Sequence, residues 1–313
     1  MLQYTLRRLL TVIPVLLVVL TVVFFVVRVI PGDPALAALG DQATEESLAA
    51  ARERMGLDRP MAIQYLDYLA GILRGDLGNS LVTGQPAADV IFSVLPHTIQ
   101  LTLCGILIGL LIGIPAGVWS AVRRDKPADY AGRLISLVGL SFPAFFIGVI
   151  VIYVFAVQLR WFPTGGAGDF GDPAENLRRL VLPALAVGIV CASFTSRVTR
   201  SVTIDALGQD FVRTARAKGI TRWRALVRHA FRSGLVSIVS LVGVFMVSLL
   251  GSAVATEIVF ARPGLGRVLV NAVNQRDYGL LQACAVVFAI LVVIVNLVID
   301  LSYGFVDPKA RKR

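Results

Sequence analysis

Six runs of mainly apolar residues, each close to or above the length of a membrane crossing, dominate this chain. They span Leu9–Val27, Ile99–Val122, Leu134–Val157, Leu180–Ser196, Leu235–Thr256 and Leu280–Ser302. An α-helix needs ~20 such residues to cross a hydrocarbon layer ~30 Å thick. Backbone groups in lipid find no water, so each crossing segment must satisfy its own hydrogen bonds as a helix. The composition agrees: 56% of residues are hydrophobic, 16% are charged and the mean hydropathy is +0.77. The sequence therefore predicts an all-α membrane protein with six transmembrane helices. The fourth run is the shortest and carries Pro183 near its start. The first run follows Arg7-Arg8 and precedes Ala35-Leu36-Ala37, a pattern shared with secretory signals. It is longer than a signal core of 7–15 residues, so it is expected to remain as an uncleaved span.

Charge sets the expected orientation. With the N-terminus in the cytosol, the inside set is Arg7, Arg8, Arg123, Arg124, Lys126, Arg133, the nine cations from Arg197 to Arg232, and Lys309, Arg311, Lys312 and Arg313. That places 19 of the 30 Lys and Arg inside, and by the positive-inside rule both termini are cytosolic. The formal charge of +10 reflects this asymmetry. No aromatic-and-basic signature of RNA recognition accompanies it, so no nucleic-acid partner is expected.

The outer loops carry structure of their own. Thr44–Met55 combines helix formers with early acids and later arginines, and Gly56 stands where a C-terminal cap belongs. A second short helix is expected to open at Pro60 with Asp58 as its cap, since Ile63, Leu66, Leu69 and Leu73 recur at helical spacing. Both are expected on or above the outer surface, so residues 1–98 read as one region and 99–313 as a five-helix core. In the third outer loop, Gly264 and Gly266 predict a tight turn before an amphipathic segment, Val268–Val273. Gly166-Ala167-Gly168-Asp169 matches a GxGD pattern, but that aspartate lies in a polar loop rather than a span. Cys104, Cys191 and Cys284 all fall in spans without metal-binding spacing, so they read as small apolar core residues with no metal site.

Against this background Phe211–Phe231, "FVRTARAKGITRWRALVRHAF", stands out with five arginines and one lysine. Trp223, Leu226, Val227, Ala230 and Phe231 line one helical face, and Phe211, Val212 and Ala215 form a shorter stripe before Gly219. Two short amphipathic helices with a glycine between them are expected. From the residues alone, both a docking site for another protein and an interfacial helix pair on anionic lipid fit the pattern. Small residues at the bend, Ala215, Ala217 and Gly219, would let a second surface approach closely.

The same segment resembles the cytosolic coupling loop of ATP-binding-cassette importer permeases, in which E-A-A is followed by three residues and a glycine. Aligned on Gly219, the three-residue core is Arg213-Thr214-Ala215, so Ala215 and Gly219 match. The fuller stretch "GQDFVRTARAKGITRWRALVRHA" resembles the variant in dipeptide/oligopeptide permease subunits, with Ser233 and Ser237 where that family usually has asparagine and proline. "PGDP" (Pro31–Pro34), "GLDRP" (Gly56–Pro60), "QYLDYL" (Gln64–Leu69), "GDLGNS" (Gly75–Ser80), "EIVFARPGLG" (Glu257–Gly266), "RDY" (Arg276–Tyr278) and Asp307-Pro308 extend the likeness along the chain.

That resemblance implies a type I importer permease fold with a cytosolic coupling helix in the loop at about 197–234. It also implies a place in the bacterial cytoplasmic (inner) membrane and a role as half of a pathway for peptides or a similar small solute. The implied partners are a second homologous permease, two ATP-binding subunits and an extracytoplasmic solute-binding protein. ATPase coupling would fall to Asp210, Arg213, Thr214, Ala215, Arg216, Ala217, Lys218, Gly219 and Arg222. The sequence has no GxxxxGK[ST] phosphate loop, so no enzymatic activity or bound cofactor is expected of this chain, and ATP and Mg would sit on the partners.

Candidates for the translocation path are the polar, small or helix-breaking residues within spans: Ser141, Pro143, Ser248, Ser252 and Thr256, with Asn296 in the sixth. Helix packing explains the same residue types equally well. Pro143 is expected to kink the third span. Asp300 is expected near the cytosolic end of the sixth span, paired with an arginine. Glu257 is read as either a gate contact or a solvated helix end. Two rival classes stay open at this point: a gradient-driven secondary transporter or channel, and a non-transporting membrane scaffold. The scarcity of ionisable residues in the spans counts against the gradient-driven one.

Overall fold

A computed structural model describes residues 2–29, 34–39, 43–221, 224 and 232–306. Among these residues the chain is helical, apart from one isolated β-bridge between Asn79 and Pro86. Labelled in chain order, the helices are α1 (Leu2–Val29), α2 (Pro34–Leu39), α3 (Glu45–Arg54), α4 (Met61–Leu73), α5 (Ala87–Val122) and α6 (Pro127–Ser141). Then follow α7 (Ala144–Val151), α8 (Pro173–Leu207), α9 (Asp210–Ala217), α10 (Arg232–Val259), α11 (Leu265–Asn274) and α12 (Tyr278–Val306). Among the described residues, five helices are long and apolar enough to cross a membrane, or six if α6 and α7 with its extension count as one span.

The third span breaks where a kink is expected. Phe142 and Pro143 are both extended, and the two helical pieces meet at 102°. A residue preceding proline avoids the helical region, and proline suits the start of a new helix because its missing N–H has no partner there anyway. Together these stop α6 and begin α7, which continues in wider i→i+5 turns over Ile152–Gln158. Several other boundaries depart from the sequence expectation. The second span starts at Ala87 rather than Ile99, because its polar first turns continue the helix beyond the apolar run. The fourth is a helix of 35 residues, Pro183 included. Its weak hydropathy follows from burial by protein instead of lipid: 56% of its apolar window is buried, against 17–33% for the other single-helix spans.

The chain forms two compact units. In the larger (residues 1–8, 99–262 and 295–313), α8 is the central element. Gly105, Gly109, Gly113 and Gly117 fall every fourth residue on one face of α5, directly against α8. A Cβ at Gly113 would lie 2.6 Å from Ala192 O and 2.7 Å from Thr195 Cβ, and one at Gly105 would lie 2.6 Å from Val187 Cγ1. Leu101, Ala144, Leu180, Ala184, Val187, Cys191, Leu249 and Ala253 complete the core around this seam. Phe194 stacks on Phe245 to join α8 to α10. Backbone-to-backbone approach of this kind is how spans associate when lipid supplies no hydrophobic driving force.

The second unit (residues 9–98 and 263–294) holds α2, α3, α4 and α11 with parts of three spans. Thr44 caps α3, and Gly56 takes a left-handed conformation just past its end. Asp58 does not cap α4; Pro60 precedes that helix with no side-chain cap, since proline at this position already fixes the entry. The glycine turn before α11 is absent: Gly264 is extended and Gly266 lies buried inside the helix, while the left-handed residue of that loop is Ala261. Buried Asp277 accepts from Ser80 Oγ at 2.5 Å, Leu81 N at 2.9 Å and Leu280 N at 3.0 Å, pinning the 80s segment to the start of α12.

Replacing Gly113 by valine should cost ~2 kcal/mol or more, because the methyls meet backbone that cannot move aside. Gly251→Ala meets nothing within 4 Å and is expected to be neutral. Thermal unfolding of the purified variants in detergent checks both.

Candidate functional site

The cationic segment begins as α9. Val212 is buried and packs with Ala206, Leu207, Val118, Val122 and Ile220 at the shared end of α5 and α8. Ala215 is also buried, so its small side chain serves contact with the chain itself. Asp210, Arg213, Thr214, Ala217, Lys218 and Gly219 are exposed. The Arg213–Asp210 ion pair, at 3.6 Å and fully in solvent, holds little. Thr214 Oγ1 donates to Asp210 O, binding the helix to itself. The Arg216 side chain, Arg222 and the expected second helix from Trp223 to Phe231 lie outside the described residues, Arg224 apart.

Gly219 ends α9 in a left-handed conformation, with φ +84°. Ile220 N then bonds back to Ala215 O at 3.2 Å, and the Ile220 side chain joins the Val212 cluster. This is the Schellman closure, in which glycine carries the left-handed position and the following apolar residue packs back on the helix. Nothing lies within 4 Å of a Cβ placed on Gly219. The bend is thus anchored from below and bare above.

Where α5, α6 and α8 meet sits a cluster for which the sequence offers little signal. Asp129, fully buried in the first turn of α6, accepts from Arg200 Nε at 2.6 Å and Arg200 Nη2 at 2.7 Å. Ser120 Oγ donates to it at 2.5 Å and Asp125 N at 3.0 Å. Arg133 stands 3.8 Å away. The carboxylate is therefore fully satisfied by α5, the following turn and α8 together. A bidentate, charge-assisted pair of this geometry fixes orientation as well as distance. The available signal is a lone acid opening an apolar helix in "KPADYAGRLISL".

The path candidates do not form one group. Ser141 and Pro143 lie exposed at the break of the third span, with Ser141 Oγ donating to Leu137 O. Ser252 donates to Leu249 O and buried Thr256 to Ser252 O, so both hydroxyls are used within α10. Ser248 is different: it is exposed on a stripe of α10 with Leu241, Val244, Gly251 and Ile258. Asn296 is exposed on α12. Glu257 is 1% exposed, which removes the solvated-end alternative.

Close to it lies the most buried cation described, Arg262, at 0% exposure. Its Nη2 donates to Gln100 Oε1 at 2.7 Å, Gln100 Nε2 donates to Asn176 Oδ1 at 2.6 Å, and Asn176 Nδ2 donates to Gly168 O at 3.0 Å. Burial lowers the Arg262 pKa, and the Glu257 charge opposes that shift. This relay ties α5, α8 and the loop before α8 to the end of α10. Nothing in the sequence spacing joins residues so far apart.

The model of the family described as "Binding-protein-dependent transport system inner membrane component" matches residues 113–312, and a model of its N-terminal region matches residues 1–102. The chain belongs to this family. It is 37% identical over 311 residues to the glutathione transport system permease protein GsiC of Escherichia coli (strain K12), covering 99% of each chain. It is 35% identical over 332 residues to the dipeptide transport system permease protein DppB of Alkalihalophilus pseudofirmus, covering 99% of this chain and 100% of that one. Among solved structures, the MetNI methionine ABC transporter aligns with a TM-score of 0.58 at 20% identity, over 71% of this chain and 98% of that chain. An amino acid ABC transporter aligns with a TM-score of 0.54 at 18% identity, over 69% and 94%.

The fold is that of a type I importer permease, and the chain is a multi-pass inner-membrane transport subunit of a binding-protein-dependent importer. The gradient-driven and scaffold alternatives give way to this membership.

Removing one partner of the buried pair, by Asp129→Asn or Arg200→Gln, should cost ~3–5 kcal/mol, since the other is left charged and desolvated. The double replacement Asp129→Leu/Arg200→Met should recover much of that loss. A double-mutant cycle on unfolding temperature measures it.

Proposed function

We propose that this chain forms half of the translocation pathway of an ATP-driven importer for glutathione, dipeptides or a chemically similar solute. In this reading a second homologous permease completes the pathway. Two ATP-binding subunits grip the segment around Gly219 from the cytosol, and an extracytoplasmic solute-binding protein delivers the solute. In this reading both termini lie in the cytosol, which the distribution of lysine and arginine supports. ATP and Mg belong to the partners.

The observation that carries the coupling role is the two-sided character of α9. Its apolar side is fixed to the joined ends of α5 and α8 through Val212, while Arg213, Lys218 and the uncovered Gly219 face outward. A partner that closes on this handle would move two spans at once. Transport is then a two-state equilibrium biased by nucleotide bound elsewhere. The exposed α10 stripe through Ser248 is the surface on which the second permease or the solute would lie. On the outer side, a cleft of about 1000 Å³ in the second unit is lined by both signs of charge, including Arg28, Arg52, Asp67 and Asp76. Such a lining suits a solute bearing ammonium and carboxylate groups.

Gly219→Asp should leave the protein in the membrane but cut uptake by roughly tenfold or more, the effect of losing ~1.4 kcal/mol of docking. Uptake in vesicles with a co-expressed transporter reads this out. Wild-type uptake at normal expression would refute the coupling role. Vanadate should abolish uptake, and an uncoupler with ATP intact should not.

A further inference from the structure

Alongside the Asp129 pair lies a cleft of about 390 Å³ between α5, α6 and α8. Ser120, Arg133, Ser136, Ser196, Arg197 and Arg200 supply its polar walls, and Leu137 supplies an apolar one. The charges do not cancel. Asp129 is taken up by Arg200, and Arg133 reaches it only at 3.8 Å. Arg197 has no ion pair or hydrogen bond among the described residues. The adjoining cleft shares Arg133 and Arg200 and adds Arg124, Asp125 and Asp205, of which Arg124 and Asp125 pair with each other. Ser120 already donates to Asp129, but the guanidinium groups of Arg133 and Arg197, with the hydroxyls of Ser136 and Ser196 beside them, can donate to a phosphate oxyanion.

The helices around the cleft also mark its depth. Trp119 and Tyr130 are exposed, with Arg123 4.7 Å over the first ring and Arg133 4.3 Å over the second. Exposed tryptophan and tyrosine settle at the level of lipid headgroups. Below them on α6, Leu134, Ile135, Leu137 and Val138 are bare and apolar. A ligand seated here would meet cations at one end and a greasy wall at the other. We propose that this cleft holds the phosphate of an anionic phospholipid headgroup, with an acyl chain running along Leu137. The site involves neither the Gly219 handle nor the solute path, so it stands or falls apart from the proposed transport function.

The test uses the full-length chain in nanodiscs containing phosphatidylglycerol and phosphatidylcholine, with retained lipid counted by native mass spectrometry. Phosphatidylglycerol should be retained in preference to phosphatidylcholine. Arg133→Gln and Arg197→Gln should each weaken retention by roughly fivefold, and together by roughly 25-fold, as expected for basic residues at an anionic surface. Arg133→Lys/Arg197→Lys should keep most of it, which separates charge from folding. Unchanged retention in the double glutamine variant, or equal retention of phosphatidylcholine, would overturn the assignment. Release of phosphatidylglycerol by millimolar inorganic phosphate would overturn it too, in favour of a free anion.

Discussion

Close backbone approach between α5 and α8 is the constraint from which the larger unit follows. Four glycines remove the side chains that would hold the helices apart, and the space is filled by Val187, Cys191, Ala192, Thr195 and Thr199 of α8. Because α8 is enclosed, its buried face can carry small and polar residues. The remaining helices of the unit then pack around it: α6 and α7 on one side, α10 on another. Dispersion and short polar contacts hold such a seam, since lipid competes equally well for apolar surface.

The Asp129–Arg200 pair and the Val212 cluster extend that seam to its end. One fixes the start of α6 to α8; the other seats α9 on the last turns of α5 and α8. This end of the unit is therefore held by contacts of three kinds: an ion pair between α6 and α8, a glycine interface between α5 and α8, and an apolar cluster that seats α9 on both. The Arg262–Gln100–Asn176 relay ties the other end of the same helices.

Much of this fold could be read from the residues. The apolar runs located the five long apolar helices and the bent pair, Thr44–Met55 and Val268–Val273 marked two of the short helices, and Pro143 marked the break. Hydropathy failed at boundaries, because a helix that leaves the membrane keeps its form while its polarity rises, as between Ala87 and Ile99. It undervalued α8 for the opposite reason, since protein-enclosed spans need not be greasy. The period of four in Gly105–Gly117 was open to inspection but does not identify its partner. Asp129, Arg200 and Arg262 acquire meaning only once helices distant in sequence lie side by side. The reading of Phe211–Phe231 as a coupling segment rests on resemblance to a family, since physics alone leaves it balanced between lipid and protein.

The elbow in the third span has a consequence for the life of the subunit before assembly. Phe142 and Pro143 leave the helical ladder at a point left exposed by the described residues. Carbonyls freed at such a corner cannot face hydrocarbon without large cost, so water or a neighbouring subunit must receive them. A solitary copy adrift in the bilayer carries that defect openly. The corner is thereby a place on this subunit where a wholly lipid-facing surface is ruled out by the backbone rather than by any side chain.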